Sequence, residues 1–162
     1  MHKATGPDEI NIEAIKLLDE ENIEILVRLF NRIYDTGYIP REWLQSSFVM
    51  IPKTANATKC SEHRLISLMS HLLKLFLRIL HSRTYKILEE LSGSTQFGFK
   101  GGLGTRKAIL CLNTFMQNCL DQRKDVYLTF IDYEKAIDNV TYDIMMELLH
   151  RANIDQKEIR NI

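Results

Sequence analysis

Apolar residues recur every three or four positions along most of this chain, which is the spacing of one face of a helix. The clearest stripe runs from Ile23 to Tyr34 and is followed by Gly37 and Pro40, which are typical of a helix end. A longer stripe from about residue 70 to 91 predicts the best helix of the chain. Shorter helices are predicted over about residues 12–18, 105–120 and 142–149, with a last turn from residue 155.

Three other segments have the composition of β-strands. Residues 46–51 and 64–68 predict two strands, joined by a loop or hairpin turn in the polar residues 54–62. Residues 125–131 are dense in β-branched and aromatic side chains and predict a third strand, which ends next to Asp132. Helices that precede two or three strands indicate an α+β fold.

The predicted helix over residues 105–120 follows a glycine-rich passage. Thr105 is placed to cap its N-terminus, because a threonine hydroxyl accepts a hydrogen bond from the first turn. Its apolar side is expected to contribute to the core through Ile109, Leu112, Phe115, Met116 and Cys119.

Composition narrows the picture only slightly. The chain has 162 residues, 45% of them hydrophobic and 26% charged, which fits one globular domain over residues 1–162 with no second domain. Its 21 basic and 21 acidic residues cancel, so any nucleic-acid binding must come from a local basic face. Three cysteines without CxxC spacing favour reduced thiols with no disulfide partner, and no apolar run suits a membrane span. We therefore expect an intracellular protein that does not enter a membrane.

The acidic residues after the third predicted strand are the first candidates for chemistry. Asp132 lies at the strand's C-terminal edge, where a carboxylate can reach solvent and a cation. Magnesium favours one or two carboxylates together with phosphate oxygens, so Asp132 suits one half of a two-metal phosphoryl-transfer site. A structural role fits the spacing as well: Asp132 would cap the following turn and Asp138 would end it.

Basic residues form two groups that suit phosphate. Glycines around residues 98–104, with Lys100, Arg106 and Lys107, would let a backbone pass close to a ligand, although a plain loop and helix cap also fits. The glycine spacing matches neither a P-loop nor a Rossmann turn. Lys74 and Arg78 share one face of the longest predicted helix, and such a stripe follows a phosphate backbone or is simply the solvated face.

Five stretches, in one order, resemble the reverse transcriptases of non-long-terminal-repeat (LINE-type) retrotransposons. Residues 3–10 are similar to K-A-x-G-P-D-x-I, and residues 43–53 to W-x-x-S-x-x-x-x-I-P-K. Residues 64–68 resemble the end of Y-R-x-I-S-L, and residues 96–105 resemble Q-F-G-F-R followed by G-x-G-T. Residues 130–138 are similar to F-x-D-Y-x-K-A-F-D. One such match is weak evidence, whereas five in register are specific.

The resemblance implies a partial right-hand polymerase, with fingers and fingers/palm helices over about residues 1–122 and the start of the palm over about 123–162. It implies that Asp132 and the Tyr133 carbonyl bind catalytic Mg²⁺, and that Lys53 and Arg64 lie over the incoming triphosphate. The glycine-rich passage, including Gly102 and Gly104, would lie near the template and primer. The implied reaction is RNA-templated DNA synthesis, with an RNA template, a DNA primer and a dNTP as partners.

Two departures from the family pattern limit these expectations. No adjacent Asp-Asp pair follows Asp138, so the second half of the metal site is absent and the chain alone is expected not to polymerise. Ile137 stands where the family carries the phenylalanine that excludes a ribose 2′-hydroxyl, which predicts weaker rejection of ribonucleotides. The alternative function is a non-catalytic nucleic-acid-binding or interaction module derived from a reverse transcriptase.

Overall fold

The computed structural model describes residues 3–162 of the chain. Six helices and two strands are formed by the described residues, together with two single 3₁₀ turns at Arg41–Leu44 and Cys60–Glu62. In chain order these are α1 (Ile12–Lys16), α2 (Glu20–Thr36), β1 (Ser46–Pro52), β2 (His63–Met69), α3 (His71–Leu91), α4 (Thr105–Asp121), α5 (Tyr142–Arg151) and α6 (Gln156–Arg160). This mixture of helices with a small antiparallel sheet is consistent with the predicted α+β class.

Local capping explains where the predicted helices begin and end. The Asp19 carboxylate accepts a hydrogen bond from the Asn22 amide at 2.9 Å and starts α2. Gly37 ends α2 in the left-handed conformation, with φ of 72°, as its position in the sequence predicts. Thr141 caps α5 by accepting from the Ile144 amide, and Asp155 caps α6 by accepting from Lys157. The boundaries of these helices therefore follow from local residue types.

Strands β1 and β2 form a two-stranded antiparallel hairpin, as predicted. Phe48 pairs with Ser67, and Ile51 pairs with Arg64. A continuation of the ladder beyond the strands joins the Lys53 amide to the Glu62 carbonyl at 2.8 Å. The loop of residues 54–62, called the tip loop below, closes the hairpin.

The chain divides into two compact units, one up to Thr84 together with Asp155–Ile162, and one over Tyr85–Ile154. The first unit contains the main core, formed by Phe30, Ile33, Trp43, Leu73, Phe76 and Leu80. The Phe30 ring meets Trp43 edge-on at 6.1 Å between centroids and lies 5.5 Å from Phe76. The predicted polymerase subdomains, with a boundary near residue 122, stay a prediction.

Helix α6 packs on the C-terminal end of α2 through polar contacts. The Arg160 guanidinium donates to the carbonyls of Tyr34 and Asp35, both at 2.8 Å, and Asn161 also donates to Tyr34. The buried Glu158 carboxylate accepts from the Tyr34 hydroxyl at 3.0 Å and pairs with Arg83 at 2.9 Å. The contacts of Arg160 and Asn161 satisfy carbonyls that the end of a helix leaves without an intrahelical partner.

Three expectations from the sequence are wrong. Residues 124–133 form no strand, because a strand needs a hydrogen-bonded neighbour and β1 and β2 pair only with each other among the described residues. Helix α4 begins at Thr105 itself, with Gly104 at the capping position and no capping hydrogen bond from a side chain. No residue of α4 is fully buried: Ile109 and Phe115 are each 53% exposed, and Leu112, Met116 and Cys119 are only partly covered by the described residues.

The three cysteine thiols are free in the structure. No helix within residues 3–162 combines the length and the apolar character needed to cross a membrane.

Candidate nucleotide and nucleic-acid site

The end of the β1–β2 hairpin brings two cations together. Arg64 lies directly opposite Ile51, so their side chains share one face of the hairpin. Lys53 lies two residues after Ile51, and its amide continues the ladder, which places Lys53 on that same face. Lys53 and Arg64 are thus diagonal neighbours, a relation that separates residues by about 7–8 Å in antiparallel pairs. Both side chains are exposed to solvent.

The tip loop contacts the Lys53 side chain through a backbone carbonyl. The Lys53 ammonium donates to the Ser61 carbonyl at 2.7 Å, whereas the Arg64 guanidinium makes no contact that the structure records with the described residues. One carboxylate oxygen of Glu62 accepts from the amides of Thr58, at 2.7 Å, and Lys59, at 3.0 Å. The backbone amides of Lys59 and Thr58 lower the pKa of Glu62 because they stabilise its ionised form.

Helix α3 presents two further cations in the first unit. Lys74 and Arg78 lie four residues apart, and both are exposed while Leu73 and Phe76 beside them in the helix are buried. This exposure is compatible with the predicted basic face, which stays a prediction. It is also what the solvated side of an amphipathic helix looks like.

The glycine-rich passage is tied to the end of α3 within the second unit. The Gly101 amide donates to the Tyr85 hydroxyl at 2.8 Å, and that hydroxyl donates to Glu89 at 3.0 Å. The Lys100 ammonium donates to the carbonyls of Ser92, at 3.2 Å, and Gly93, at 3.3 Å. Lys100 therefore places a positive charge at the C-terminal end of α3, where the helix dipole favours a cation. Its contact with nucleic acid stays a prediction.

The same passage leads into the first turn of α4. Gly102 has φ of 70°, a conformation that side chains with a Cβ rarely adopt, and Gly104 is extended. Arg106 and Lys107 follow in the first turn and are exposed. Cations at a helix N-terminus are unfavourable for the helix dipole, so these two residues do not stabilise α4. An anion bound there would remove that penalty.

The segment with the polymerase motif is the most exposed part of the chain. Every residue from 121 to 140 is exposed, including Asp132, Tyr133 and Ile137, the last of which is 78% exposed. A turn over residues 134–139 is held by Asn139, which donates to the carbonyls of Lys135 and Glu134. Neither Asp132 nor Asp138 accepts a recorded hydrogen bond from the described residues, so the turn-capping interpretation lacks its contacts.

A metal ion needs more ligands than these residues supply together. Within residues 3–162, no group of three or more His, Cys, Asp or Glu side chains is placed to hold one. Asp132 offers one exposed carboxylate, which fits the single protein ligand that magnesium often combines with phosphate oxygens and water. The described donor set is therefore compatible with one ligand of a shared site and does not form a complete site.

Sequence reasoning missed two residues that organise these groups. Glu62 was given no role from the sequence, although a glutamate at the third position of a short helical turn is a capping signal. Tyr85 has no local signal, because its hydroxyl meets Gly101, which lies 16 residues further along the chain.

Comparison with known proteins agrees with the motifs. Residues 51–162 match the family model described as reverse transcriptase (RNA-dependent DNA polymerase). The chain is 29% identical to the RNA-directed DNA polymerase from mobile element jockey of Drosophila melanogaster over 143 residues, which cover 86% of this chain and 16% of that protein. It is 29% identical over 158 residues to the Pol polyprotein from type-1 retrotransposable element R2 of Nasonia vitripennis, covering 98% of this chain and 15% of the relative.

A third relative, the probable RNA-directed DNA polymerase from transposon BS of Drosophila melanogaster, is 29% identical over 146 residues, which are 88% of this chain and 16% of the relative. The chain thus spans about a sixth of the length of these relatives. The family match covers more than half of the chain and confirms the resemblance that the five motifs indicated. The chain belongs to the reverse transcriptase family of non-long-terminal-repeat retrotransposons.

Proposed function

We propose that this chain forms the fingers and the beginning of the palm of a retrotransposon RNA-directed DNA polymerase, and that its hairpin end binds the triphosphate of the incoming dNTP. The observation that carries the proposal is the pair Lys53 and Arg64, which the strand register places on one exposed face of the hairpin. An arginine fork binds phosphate oxygens in pairs, and a lysine adds a point charge beside it.

The nucleic-acid strands would contact cations outside the hairpin. In the first unit, Lys74 and Arg78 on α3 are exposed and suit phosphates of a template–primer duplex. In the second unit, Arg106 and Lys107 at the start of α4 are exposed and suit such phosphates independently. Gly102 and Gly104 would allow a strand to approach the backbone closely. Lys100 would act mainly through the loop, since carbonyls occupy two of its three ammonium donors, whereas Lys53 uses only one on Ser61 and keeps two for phosphate.

The exposed segment of residues 121–140 would supply the metal ligands in the parent enzyme. Asp132 and the Tyr133 carbonyl would hold Mg²⁺, which when bound stabilises the attacking 3′-oxygen and the leaving pyrophosphate. Ile137 would lie beside the sugar of the dNTP, where a side chain smaller than phenylalanine leaves room for a 2′-hydroxyl. Replacing Ile137 with Phe in the complete polymerase should therefore increase the preference for deoxyribonucleotides over ribonucleotides.

The triphosphate proposal is tested on the 162-residue chain by titrating it with Mg·dTTP and following amide chemical shifts by NMR. Changing both Lys53 and Arg64 to Met should weaken binding at least about tenfold, because charge-assisted hydrogen bonds each contribute about 1.5–3 kcal/mol. Lys16→Met, which removes an exposed charge from α1, is the matched control and should have little effect. Equal affinity for the double variant and the wild type would refute the proposal.

Duplex binding is tested with an RNA–DNA hybrid over a series of salt concentrations. Removing one cation that neutralises a phosphate should make the slope of log K against log salt shallower by about 0.9. Changing Lys74 and Arg78 to Met together should therefore flatten the slope by nearly two. An unchanged slope would show that these two side chains are only the solvated face of α3.

A further inference from the structure

Glu62 lies at the centre of the hydrogen bonds that close the hairpin. Its carboxylate accepts from the Thr58 and Lys59 amides, its own amide donates to the Lys59 carbonyl at 3.0 Å, and its carbonyl accepts from the Lys53 amide at 2.8 Å. The side chain thus ties the start of the 3₁₀ turn at Cys60–Glu62 to the last rung of the ladder. These bonds are all local and join residues 58–62 of the tip loop to one another and to Lys53.

From these contacts we infer that Glu62 is the positioning residue of the triphosphate site: it orders the tip loop so that Lys53 and Arg64 are held on one face before the nucleotide arrives. The inference rests on the proposed binding of triphosphate by those two cations. Because Glu62 is negatively charged, it does not bind phosphate directly. Its effect on binding must therefore act through the tip loop.

The path from Glu62 to Lys53 is short. The Lys53 ammonium donates to the carbonyl of Ser61, the residue next to Glu62. A ring nitrogen of His63, on the other side of Glu62, lies 2.9 Å from the Lys59 carbonyl. If the Glu62 carboxylate released the amides of Thr58 and Lys59, the Ser61 carbonyl would lose its fixed position. Lys53 would then have to be ordered by the nucleotide itself, at a cost in affinity.

A pure charge effect and a positioning effect of Glu62 predict opposite changes in triphosphate affinity when the side chain is removed, so the role can be tested. A carboxylate near a triphosphate repels it, so removing Glu62 should strengthen binding if the side chain were only a surface charge. If Glu62 orders the loop, its removal should weaken binding even though the repulsion is also removed. Glutamine keeps an oxygen that can accept the two amide hydrogen bonds without the charge, whereas alanine keeps neither.

The experiment compares Glu62→Ala and Glu62→Gln in the full 162-residue chain, titrated with Mg·dTTP. We expect Glu62→Ala to weaken binding at least about threefold and Glu62→Gln to restore most of the wild-type affinity, because ordering the loop costs affinity when the nucleotide must do it. Glu42→Ala, which removes an exposed charge from the turn at Arg41–Leu44, is the matched control and should leave affinity unchanged or slightly improved. Equal or tighter binding by Glu62→Ala would overturn the inference.

A second measurement separates loop order from binding. Hydrogen exchange of the Thr58 and Lys59 amides should be at least about tenfold faster in Glu62→Ala than in the wild type, with no nucleotide present. Unchanged exchange would also overturn the inference. If the Lys53 and Arg64 double variant loses binding but Glu62→Ala does not, only the role of Glu62 fails. If the double variant binds like the wild type, the proposed function itself fails.

Discussion

The core of the first unit and the segment of residues 121–140 are contrasting parts of the chain. In the core, Ile33, Phe76 and Leu80 are each only 2% exposed, and the aromatic rings of Trp43 and Phe76 both pack against Phe30. In the segment, Tyr127 is 93% exposed and Phe130 is 82% exposed, although residues 126–131 are mostly apolar as well. Hydrophobic composition alone therefore does not decide burial.

The motif that resembles the polymerase family and the buried core lie in different parts of the chain. The segment carries the polymerase motif with Asp132, yet among the described residues it has neither a strand partner nor a covering helix. The core carries none of the proposed catalytic groups, but it holds α2 and α3 together in the unit that also contains the hairpin. The main buried core and the motif that resembles the polymerase family thus lie in separate stretches of this sequence.

Limited proteolysis should give the largest contrast between the two regions. Lys135 lies in the exposed turn over residues 134–139, and Arg78 is also exposed but lies within α3. Trypsin needs a locally extended backbone, so we expect cleavage after Lys135 to be at least about a hundredfold faster, since helical backbone must first open. The order of cleavage is read by mass spectrometry. Cleavage after Arg78 at a similar rate would show that α3 is no more stable than the segment.

Truncating one aromatic ring in each region should change the free energy of unfolding by very different amounts. Phe76→Ala removes a buried ring from the core and should lower the free energy of unfolding by about 3–5 kcal/mol. Phe130→Ala removes an exposed ring and should change it by less than about 0.5 kcal/mol. Urea denaturation followed by circular dichroism measures both. Equal losses would mean that Phe130 is buried in solution.

The contrast also explains which features could be predicted from the sequence. Gly37 and Thr141 act on neighbouring residues, so the end of α2 and the start of α5 were predicted correctly. The hairpin was predicted because both of its strands and its loop lie within one short stretch, residues 46–69. The strand at 125–131 and the buried face of α4 failed because each requires a distant partner that local pattern does not specify. Lys100 was identified as a cation, but its two carbonyl partners depend on how the loop folds back.

A glycine substitution tests how tightly the first unit is packed near its N-terminal motif. A Cβ added at Gly6 would lie 2.6 Å from backbone atoms of Met69 and Ser70, which cannot move as a flexible side chain can. Gly6→Ala should therefore cost about 1–3 kcal/mol of unfolding free energy. Gly93→Ala, where the new methyl group meets nothing within 4 Å, should be neutral or stabilise by up to about 1 kcal/mol. If thermal denaturation gives both variants the same midpoint, Gly6 does not pack against the backbone of Met69 and Ser70 in solution.

The smallest expected effect comes from the contact between α6 and α2, and it depends on pH. Burial, followed by the hydrogen bond to Glu158, raises the pKa of the Tyr34 phenol above its ordinary value of 10.0. The folded chain thus holds this proton more tightly than the unfolded chain, so the stabilisation is complete below about pH 10 and is lost as pH rises through the raised pKa.

Tyr34→Phe should cost about 1 kcal/mol near neutral pH, and its deficit relative to the wild type should shrink above about pH 10. Tyr38→Phe, an exposed ring, should cost nothing in urea denaturation at either pH. A Tyr34→Phe deficit that stays constant through about pH 11 would mean that the Tyr34 hydroxyl is bonded to water rather than to Glu158.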